Sequence, residues 1–269
     1  MITSTSNQQM KNLSALMKKS KERREQGVFV VEGTKMVAEA PVEWIKNVYM
    51  SETYEKASEH QGLIADFRKK GIAFEVVADN VFKSVSDTQT PQGILAIVKM
   101  PSYSLEQMLQ GDKTHLLILE SIQDPGNLGT MVRTGEGAGI TGIIMNKTTV
   151  DLFNPKTIRS TMGSIYRVPF YIAENLEETL EVLKEKGVQL FAAHLKGTAS
   201  YDEVDYTAST GFLIGNEGNG LSDAIADIAS CYIKIPMEGQ VESLNAAISA
   251  TLLMYEANRQ RRRNRENLV

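Results

Sequence analysis

The sequence predicts an α/β protein with a parallel sheet, preceded by a smaller α/β domain. Predicted strands and helices alternate along most of the 269 residues, which is typical of sheets covered by helices. A polar stretch without a continuous pattern interrupts this alternation at residues 101–114. We therefore expect a first domain at 1–99, a linker at 100–113 and a second domain at 114–269.

The first half opens with an amphipathic helix at residues 8–25. Its apolar side chains, among them Met10, Leu13 and Leu16, recur at helical spacing. Short runs rich in β-branched and aromatic residues then alternate with helical stretches. In order along the chain, the expected elements are a strand at 27–33, a helix at 34–40, a strand at 45–51, a helix at 62–71, and strands at 73–79 and 93–100.

The second half alternates more regularly, which favours a parallel sheet with helices on both faces. Its predicted strands are apolar runs of about four to eight residues, as expected for buried strands. The strands are expected at 115–121, 142–146, 188–195, 210–215 and 231–237, and the helices at 128–136, 155–163, 177–187, 221–229 and 243–265.

The composition is that of a globular protein, with 42% hydrophobic and 23% charged residues. No apolar run approaches the ~18 residues of a membrane span, and the first residues lack the apolar core of a signal peptide. A single cysteine, Cys231, excludes an internal disulfide framework, and three scattered histidines do not form a metal site. These features predict a cytoplasmic protein that needs neither a metal nor a membrane.

The net charge is −4, yet basic residues cluster in the first and last predicted helices. Local patches can bind phosphates even when the total charge is negative, because charges beyond ~10 Å are screened. Charge alone leaves open whether these helices bind RNA or present solvated faces. The clusters are Lys11, Lys18, Lys19, Lys21, Arg23 and Arg24 at one end and Arg259, Arg261, Arg262, Arg263 and Arg265 at the other.

The stretch QDPGNLGTMVRTGEGAG, residues 123–139, comes directly after a predicted strand. Its Asp-Pro-Gly-Asn start predicts a type II turn, after which Asn127 caps a helix. Arg133 lies one helical turn after a glycine that leaves room for a ligand's backbone or phosphate, although a plain surface arginine fits equally well. The spacing Gly137-x-Gly139-x-x-Gly142 matches a dinucleotide fingerprint, but these glycines come after the helix. We therefore reject a nicotinamide oxidoreductase.

Two further glycine-rich loops have the same arrangement of strand, loop and helix. Residues 213–223 carry Glu217 in mid-loop, and residues 235–249 carry Ser243-Leu244-Asn245 where the last helix is expected to start. All three loops leave the carboxyl ends of predicted strands, where open α/β sheets bind ligands. Ser243 is a candidate either for the site or for the cap of that helix.

Three motifs together resemble the SpoU, or TrmH, branch of the SPOUT RNA methyltransferases. They are NLGTMVRTGEGAG, GFLIGNEGNGLSD and IPMEGQVESLNAAISATLLMYE, in the family's order. Residues 2–13, 29–40 and 86–98 also resemble its longer members, in which a ribosomal-protein-like RNA-binding domain precedes the catalytic one. The resemblance covers nearly the whole chain. It implies an α/β knot, a parallel sheet with a deep C-terminal trefoil knot, and a homodimer in which the first and last helices of the catalytic domain meet.

The resemblance also implies the site and the reaction. In the implied reaction, S-adenosylmethionine donates its methyl group to a ribose 2′-hydroxyl in RNA, and ribosomal RNA of the large subunit is the preferred substrate. Transfer RNA and a non-catalytic binding module of the same fold are the alternatives. Arg133 is expected to be either the general base or a clamp for phosphate and developing alkoxide, and Glu217 to orient Arg133 or the ribose. The implied catalytic residues are Asn127, Arg133, Glu217, Ser243 and Asn245, and the implied cofactor contacts are Gly215, Asn216, Gly218, Ile235, Met237 and Leu244.

Overall fold

A computed structural model describes residues 1–266. The elements of the first hundred residues are α1 (Gln8–Lys18), α2 (Ser20–Gln26), β1 (Val28–Glu32), α3 (Thr34–Glu39), β2 (Ile45–Ser51), α4 (Glu52–Lys56), α5 (Gln61–Lys69), β3 (Phe74–Val77), α6 (Asp79–Val85) and β4 (Ile94–Lys99). The later elements are α7 (Leu105–Met108), β5 (His115–Leu119), α8 (Pro125–Ala138), β6 (Gly142–Asn146), α9 (Pro155–Thr161), β7 (Phe170–Ala173), α10 (Leu176–Glu185), β8 (Gln189–Ala193), β9 (Ala199–Ser200), β10 (Thr210–Ile214), α11 (Asp223–Ala226), β11 (Cys231–Lys234) and α12 (Ala246–Glu266). Short 3-10 helices lie at Val42–Trp44, Ser58–His60 and Ser164–Tyr166.

The chain forms two compact units. The first combines Met1–Pro101 with the later segment Asp151–Tyr166, and the second contains Ser102–Val150 and the chain from Arg167 onward. The sequence suggested a single boundary near residue 100, with no return of the chain to the first unit. The segment 151–166 therefore differs from that expectation.

The first unit contains a four-stranded sheet in the order β1-β4-β2-β3. Only β2 and β3 run parallel, and β4 is antiparallel to both of its neighbours. Helix α1 buries Met10, Leu13 and Leu16 in a core that includes Tyr49 from the sheet and Phe82 from α6. The expected small α/β domain is thus present, with a mixed rather than parallel sheet.

The predicted helix at 8–25 breaks at Lys19, whose backbone is extended. The cause is Arg23, which is only 3% exposed. Its guanidinium donates to the carbonyl oxygens of Leu16 (2.6 Å) and Met17 (3.3 Å), which the break leaves without helical partners, and pairs with Asp151 at 2.5 Å. A buried arginine is stabilised only by such full pairing, and the apolar spacing of the sequence could not indicate it.

The segment 151–166 completes the core of the first unit. The ring of Phe153 lies 4.9 Å from that of Phe29 in β1. The Tyr166 hydroxyl donates to the carbonyl oxygen of Met36 at 2.9 Å, and Arg159 in α9 pairs with Asp87 at 2.7 Å. These apolar and polar contacts explain why the segment packs with the first unit.

The second unit contains a seven-stranded sheet in the order β7-β6-β5-β10-β8-β11-β9. Every pair of neighbours is parallel, as the sequence predicts. From β5 the chain proceeds outward to β6 and β7 and returns on the other side through β8. The sequence order therefore reverses between β5 and β10. Open α/β sheets bind ligands at such a switch point, beyond the carboxyl ends of the strands.

Helix α12 packs closely along α8. A Cβ added at Gly137 would lie 2.6 Å from the Tyr255 hydroxyl oxygen, so the Tyr255 side chain lies close over this glycine. Asn258 donates to the carbonyl oxygen of Ala138 at 3.0 Å, and Gly139 ends α8 in the left-handed region at φ 73°. Gly137 thus lies in α8, Gly139 at its end and Gly142 at the start of β6. None of them lies between a strand and the helix that follows it, where a dinucleotide site needs its glycines.

No helix within residues 1–266 is long and apolar enough to cross a membrane.

Candidate active site

The loop after β5 leads directly into α8. Asp124 is the N-cap: its carboxylate accepts from the amide of Asn127 at 2.8 Å, and Pro125 is the first helical residue. The predicted type II turn and the predicted Asn127 cap are therefore wrong, because Pro125-Gly126 already belong to the helix. Proline is favoured in the first turn, where no amide hydrogen is needed. The correction leaves the side chain of Asn127 available for other contacts.

Glu217 connects the loop after β10 to the start of α8. Its carboxylate accepts hydrogen bonds from the amides of Gln123 and Asp124 and from the side-chain amide of Asn127, each at 3.0 Å. Burial raises the pKa of Glu217, but these hydrogen bonds outweigh it and hold the pKa below its ordinary value. The group is therefore an ionised acceptor. Within residues 1–266 it does not pair with Arg133, so the expectation that it orients this arginine is wrong.

The third loop joins the same network through Asn245. Its side-chain amide donates to the amide oxygen of Asn127 at 3.0 Å, and its own oxygen accepts from the backbone of Ala247 at 2.8 Å. Asn245 therefore caps α12, which begins at Ala246. The alternative that Ser243 is this cap is wrong. Asn127 thus contacts both Glu217 and Asn245, which brings one residue of each predicted motif together.

The loop after β10 is a tight closed turn. The backbones of Asn216 and Gly220 exchange hydrogen bonds at 3.0 and 2.9 Å. A Cβ at Gly215 would lie 2.1 Å from the Gly220 carbonyl carbon, so only glycine fits. The side-chain oxygen of Asn216 accepts from the amides of Gly218 (2.9 Å) and Asn219 (3.0 Å), which fixes the exposed tip.

Arg133 lies in α8, six residues and roughly 9 Å along the helix beyond Asn127. Its side chain is exposed. Among the residues that the structure describes, it has no hydrogen-bond or ion-pair partner, in contrast to Arg23 and Arg159. A guanidinium that the protein leaves unpaired retains its planar donor set for a phosphate or another oxyanion.

Three polar residues beside this network, Glu120, Ser121 and Asn146, carry no recognisable motif in the sequence. Glu120 accepts from the backbone and hydroxyl of Ser222 at 2.8 and 2.7 Å. Ser121 has a positive φ of 57°, and its amide donates to the side-chain oxygen of Asn146 at 2.9 Å. The available signal was positional, because Glu120, Ser121 and Asn146 each lie at or directly beyond the carboxyl end of a buried parallel strand.

The loops of the site combine apolar and ionised groups. Ile235, Met237 and Leu244 are half-buried. The backbone turn at Gly215 leaves no room for a side chain, and Glu217 is ionised. Within residues 1–266, no group of three His, Cys, Asp or Glu side chains is placed to hold a metal.

Comparison with known proteins identifies both parts of the chain. The sequence model of the SpoU rRNA Methylase family matches residues 114–255, and that of the MRM3-like substrate binding domain matches residues 7–96. The chain belongs to the SpoU methyltransferase family. Among its relatives is the 23S rRNA (guanosine(2553)-2'-O)-methyltransferase RlmP of Bacillus subtilis, which is 33% identical over 94% of this chain and 97% of the relative.

Solved structures agree with this assignment. The AdoMet-bound rRNA methyltransferase from Sinorhizobium meliloti superposes with a TM-score of 0.85 at 32% identity, over 96% of this chain and 97% of that one. The SpoU methyltransferase AviRb from Streptomyces viridochromogenes, in complex with AdoMet, gives 0.86 at 26% identity, over 95% and 98%. The protein is therefore an S-adenosylmethionine-dependent RNA methyltransferase of the SpoU family. The predicted family, enzyme class and cofactor are confirmed, as is the predicted α/β class with a parallel sheet and a smaller first domain.

Proposed function

We propose that the protein methylates a ribose 2′-hydroxyl in 23S ribosomal RNA. The contact that carries this proposal is Asn127, bonded to Glu217 of the second motif and to Asn245 of the third. The Bacillus relative, named for a 23S 2′-O-methylation, supports the choice of RNA, as does the match to a substrate-binding domain. We also propose that the enzyme acts in the cytoplasm, because its proposed substrate is ribosomal RNA.

We propose that the cofactor lies in the switch-point loops of the second unit. S-adenosylmethionine supplies a methyl group already activated by the positive sulfonium. The half-buried apolar side chains would face its adenosine, and the closed turn after β10 would present backbone groups to it. The proposed contacts are Gly215, Asn216, Gly218, Ile235, Met237 and Leu244.

Arg133 then acts on the RNA. A protonated guanidinium can hold the phosphate next to the target ribose bidentately and stabilise the developing alkoxide. Its exposure and lack of a protein partner within the described residues support this clamp, and a guanidinium, which has N–H donors but no acceptor, is unsuited to be a general base. Ser243, which is exposed, and Asn245 are proposed to position the hydroxyl, and Glu217 to hold Asn127 and the start of α8 in place.

We further propose that the enzyme is a homodimer with a trefoil knot. Helix α12 exposes Ile248 (50%) and Tyr255 (46%), two turns apart on one face, which supports a contact with a second copy. Helix α12 follows the third loop and packs back against α8, and this path of the chain supports the knot. Light scattering of the purified protein should give twice the chain mass, and Ile248→Glu should shift it toward the monomer.

The experiment that tests the proposal uses S-adenosylmethionine with a tritiated methyl group. The protein is incubated separately with 23S RNA transcribed in vitro, with large subunits from a strain lacking the gene, and with bulk transfer RNA. The RNA is then digested to nucleosides. We expect label in a 2′-O-methylnucleoside from a 23S sample. Label on a base or only in transfer RNA would refute the ribose or the 23S assignment, and no label in any sample would favour a non-catalytic binding module.

A further inference from the structure

Ser121 is the residue at which the backbone leaves β5 for the active-site loop. Only Ser121 and Met162, among the described residues other than glycine, have a positive φ, at 57° and 50°. A side chain with a Cβ rarely adopts this conformation, and it persists only where the surroundings fix it. Such residues concentrate at functional sites. The contacts around Ser121 must therefore stabilise this backbone conformation.

The loop after β6 fixes Ser121 from one side. Asn146 accepts from the amide of Ser121 at 2.9 Å and donates to its hydroxyl oxygen at 3.2 Å. The Ser121 hydroxyl also lies 2.6 Å from that of Thr148. Asn146 is itself held, because its oxygen accepts from the Thr149 hydroxyl at 2.9 Å. The left-handed turn is thus fixed by side chains that belong to none of the three family motifs.

The carbonyl oxygen of Ser121 contacts the loop after β10. It accepts from the side-chain amide of Asn216 at 2.9 Å and from that of Gln123 at 3.0 Å. The same Asn216 uses its oxygen to fix the tip of its loop through Gly218 and Asn219. A change at Ser121 would therefore move the residue that shapes the proposed cofactor loop.

We propose that Ser121, held by Asn146, is a positioning residue that sets the cofactor loop through Asn216. The backbone conformation carries this role, and the hydroxyl assists by binding Asn146 and Thr148. Ser121 itself need not touch the cofactor. The inference rests on the proposed placement of S-adenosylmethionine against the loop after β10.

The test is calorimetric titration of the full chain with S-adenosylmethionine, without RNA. Ser121→Val cannot adopt the turn without strain, because a β-branched residue is a clear outlier at positive φ. Ser121→Gly adopts it freely and loses only the hydroxyl. We expect Ser121→Val to bind at least about tenfold more weakly and Ser121→Gly to remain within about threefold of the wild type. Asn146→Ala, which removes the support but keeps the serine, should weaken binding about three- to tenfold.

Met162→Val is the matched control, since it places the same strain in the first unit. It should lower the melting temperature and leave cofactor affinity unchanged. Wild-type affinity in folded Ser121→Val or in Asn146→Ala would overturn the proposal, as would a Ser121→Gly defect equal to that of Ser121→Val. If Ser121→Val does not fold, the cofactor affinities of Asn146→Ala and Ser121→Gly test the proposal instead. Failure of the wild type to bind the cofactor would instead refute the proposed function.

Discussion

The side-chain amide of Asn245 donates a 3.0 Å hydrogen bond to the side-chain oxygen of Asn127. Asn127 in turn donates to Glu217 at the same distance. A side-chain amide is suited to the middle of this chain of hydrogen bonds, because its nitrogen donates and its oxygen accepts. Asn127 therefore contacts both of the other loops.

Asn127→Asp should disable the enzyme with little change in shape. The new carboxylate faces Glu217, so the amide donor to Glu217 is replaced by a like charge, whereas the oxygen that accepts from Asn245 is retained. We expect kcat/KM to fall on the order of 100-fold, as small displacements of reacting groups do. Methyl transfer to the RNA substrate measures this. Asn175→Asp is the control, because Asn175 caps α10, where aspartate serves equally well. Equal activity of the two variants would contradict this role of Asn127.

Arg133→Lys should lose activity without losing stability. Lysine keeps the charge but lacks the planar fork, and within residues 1–266 the arginine supports no protein contact. We expect kcat/KM to fall on the order of 10²–10³-fold, with unchanged melting temperature and cofactor affinity. Arg167→Lys is the matched control, since Arg167 pairs with Glu136 of the protein. Near-normal turnover of Arg133→Lys with RNA would contradict both the clamp and the general base.

Arg23→Leu should destabilise the first unit severely. The change leaves Asp151 and the carbonyl groups of Leu16 and Met17 without their partner. Breaking a buried pair in this way costs about 3–5 kcal/mol of unfolding free energy. Urea unfolding measures the loss. The exposed pair Lys21–Glu25 provides the comparison, because Lys21→Ala should cost less than about 1 kcal/mol. Similar losses for both variants would refute a structural role for Arg23.

His115 should make the second unit less stable in acid. Burial, aided by nearby Arg261, lowers the pKa of His115 to about 3, from 6.5 in the unfolded chain. Its neutral form is favoured in the folded protein, so the contribution to stability is complete above pH 6.5. It is lost as pH falls from 6.5 toward 3, because only the unfolded chain takes up the proton. The slope approaches about 1.4 kcal/mol per pH unit.

Urea unfolding of the wild type and of His115→Leu at pH 7 and pH 5 checks this expectation. The wild type should lose on the order of 2 kcal/mol more than the variant between these two values. His115 is buried, and its Nε2 has no hydrogen-bond partner among the described residues, so leucine removes an unsatisfied polar atom. Equal pH slopes for the two proteins would contradict a buried neutral histidine.

Periodicity and local motifs made much of the second unit predictable from the sequence, whereas pairing between distant residues was missed. The parallel sheet and the convergence of Asn127, Glu217 and Asn245 were predictable, because apolar runs and loop motifs are local. The break at Lys19 was not, since it depends on Arg23 meeting a residue 128 positions away. The conformation of Ser121 was not predictable either, because serine gives no local signal for a positive φ.

The placement of the segment 151–166 was missed for the same reason. Its helix α9 was expected at almost the observed position, but helical spacing does not say which sheet a helix covers. In the sequence Phe153 and Tyr166 look like ordinary apolar residues. Only the structure shows that they contact Phe29 and Met36. Capping was also ambiguous, because Asp124 and Asn127, or Ser243 and Asn245, are equally suitable cap residues.

The central claim, a ribose methylation of 23S RNA by this three-loop site, is tested most directly in cells. Ribose methylations are mapped across all RNA of a strain that lacks the gene, beginning with the guanosine named for the Bacillus relative. The strain is then complemented with the wild type or with Asn127→Asp. We predict one missing 2′-O-methyl group in 23S RNA that the wild type restores and the variant does not. A complete set of 23S ribose methylations in the deletion strain would contradict the account.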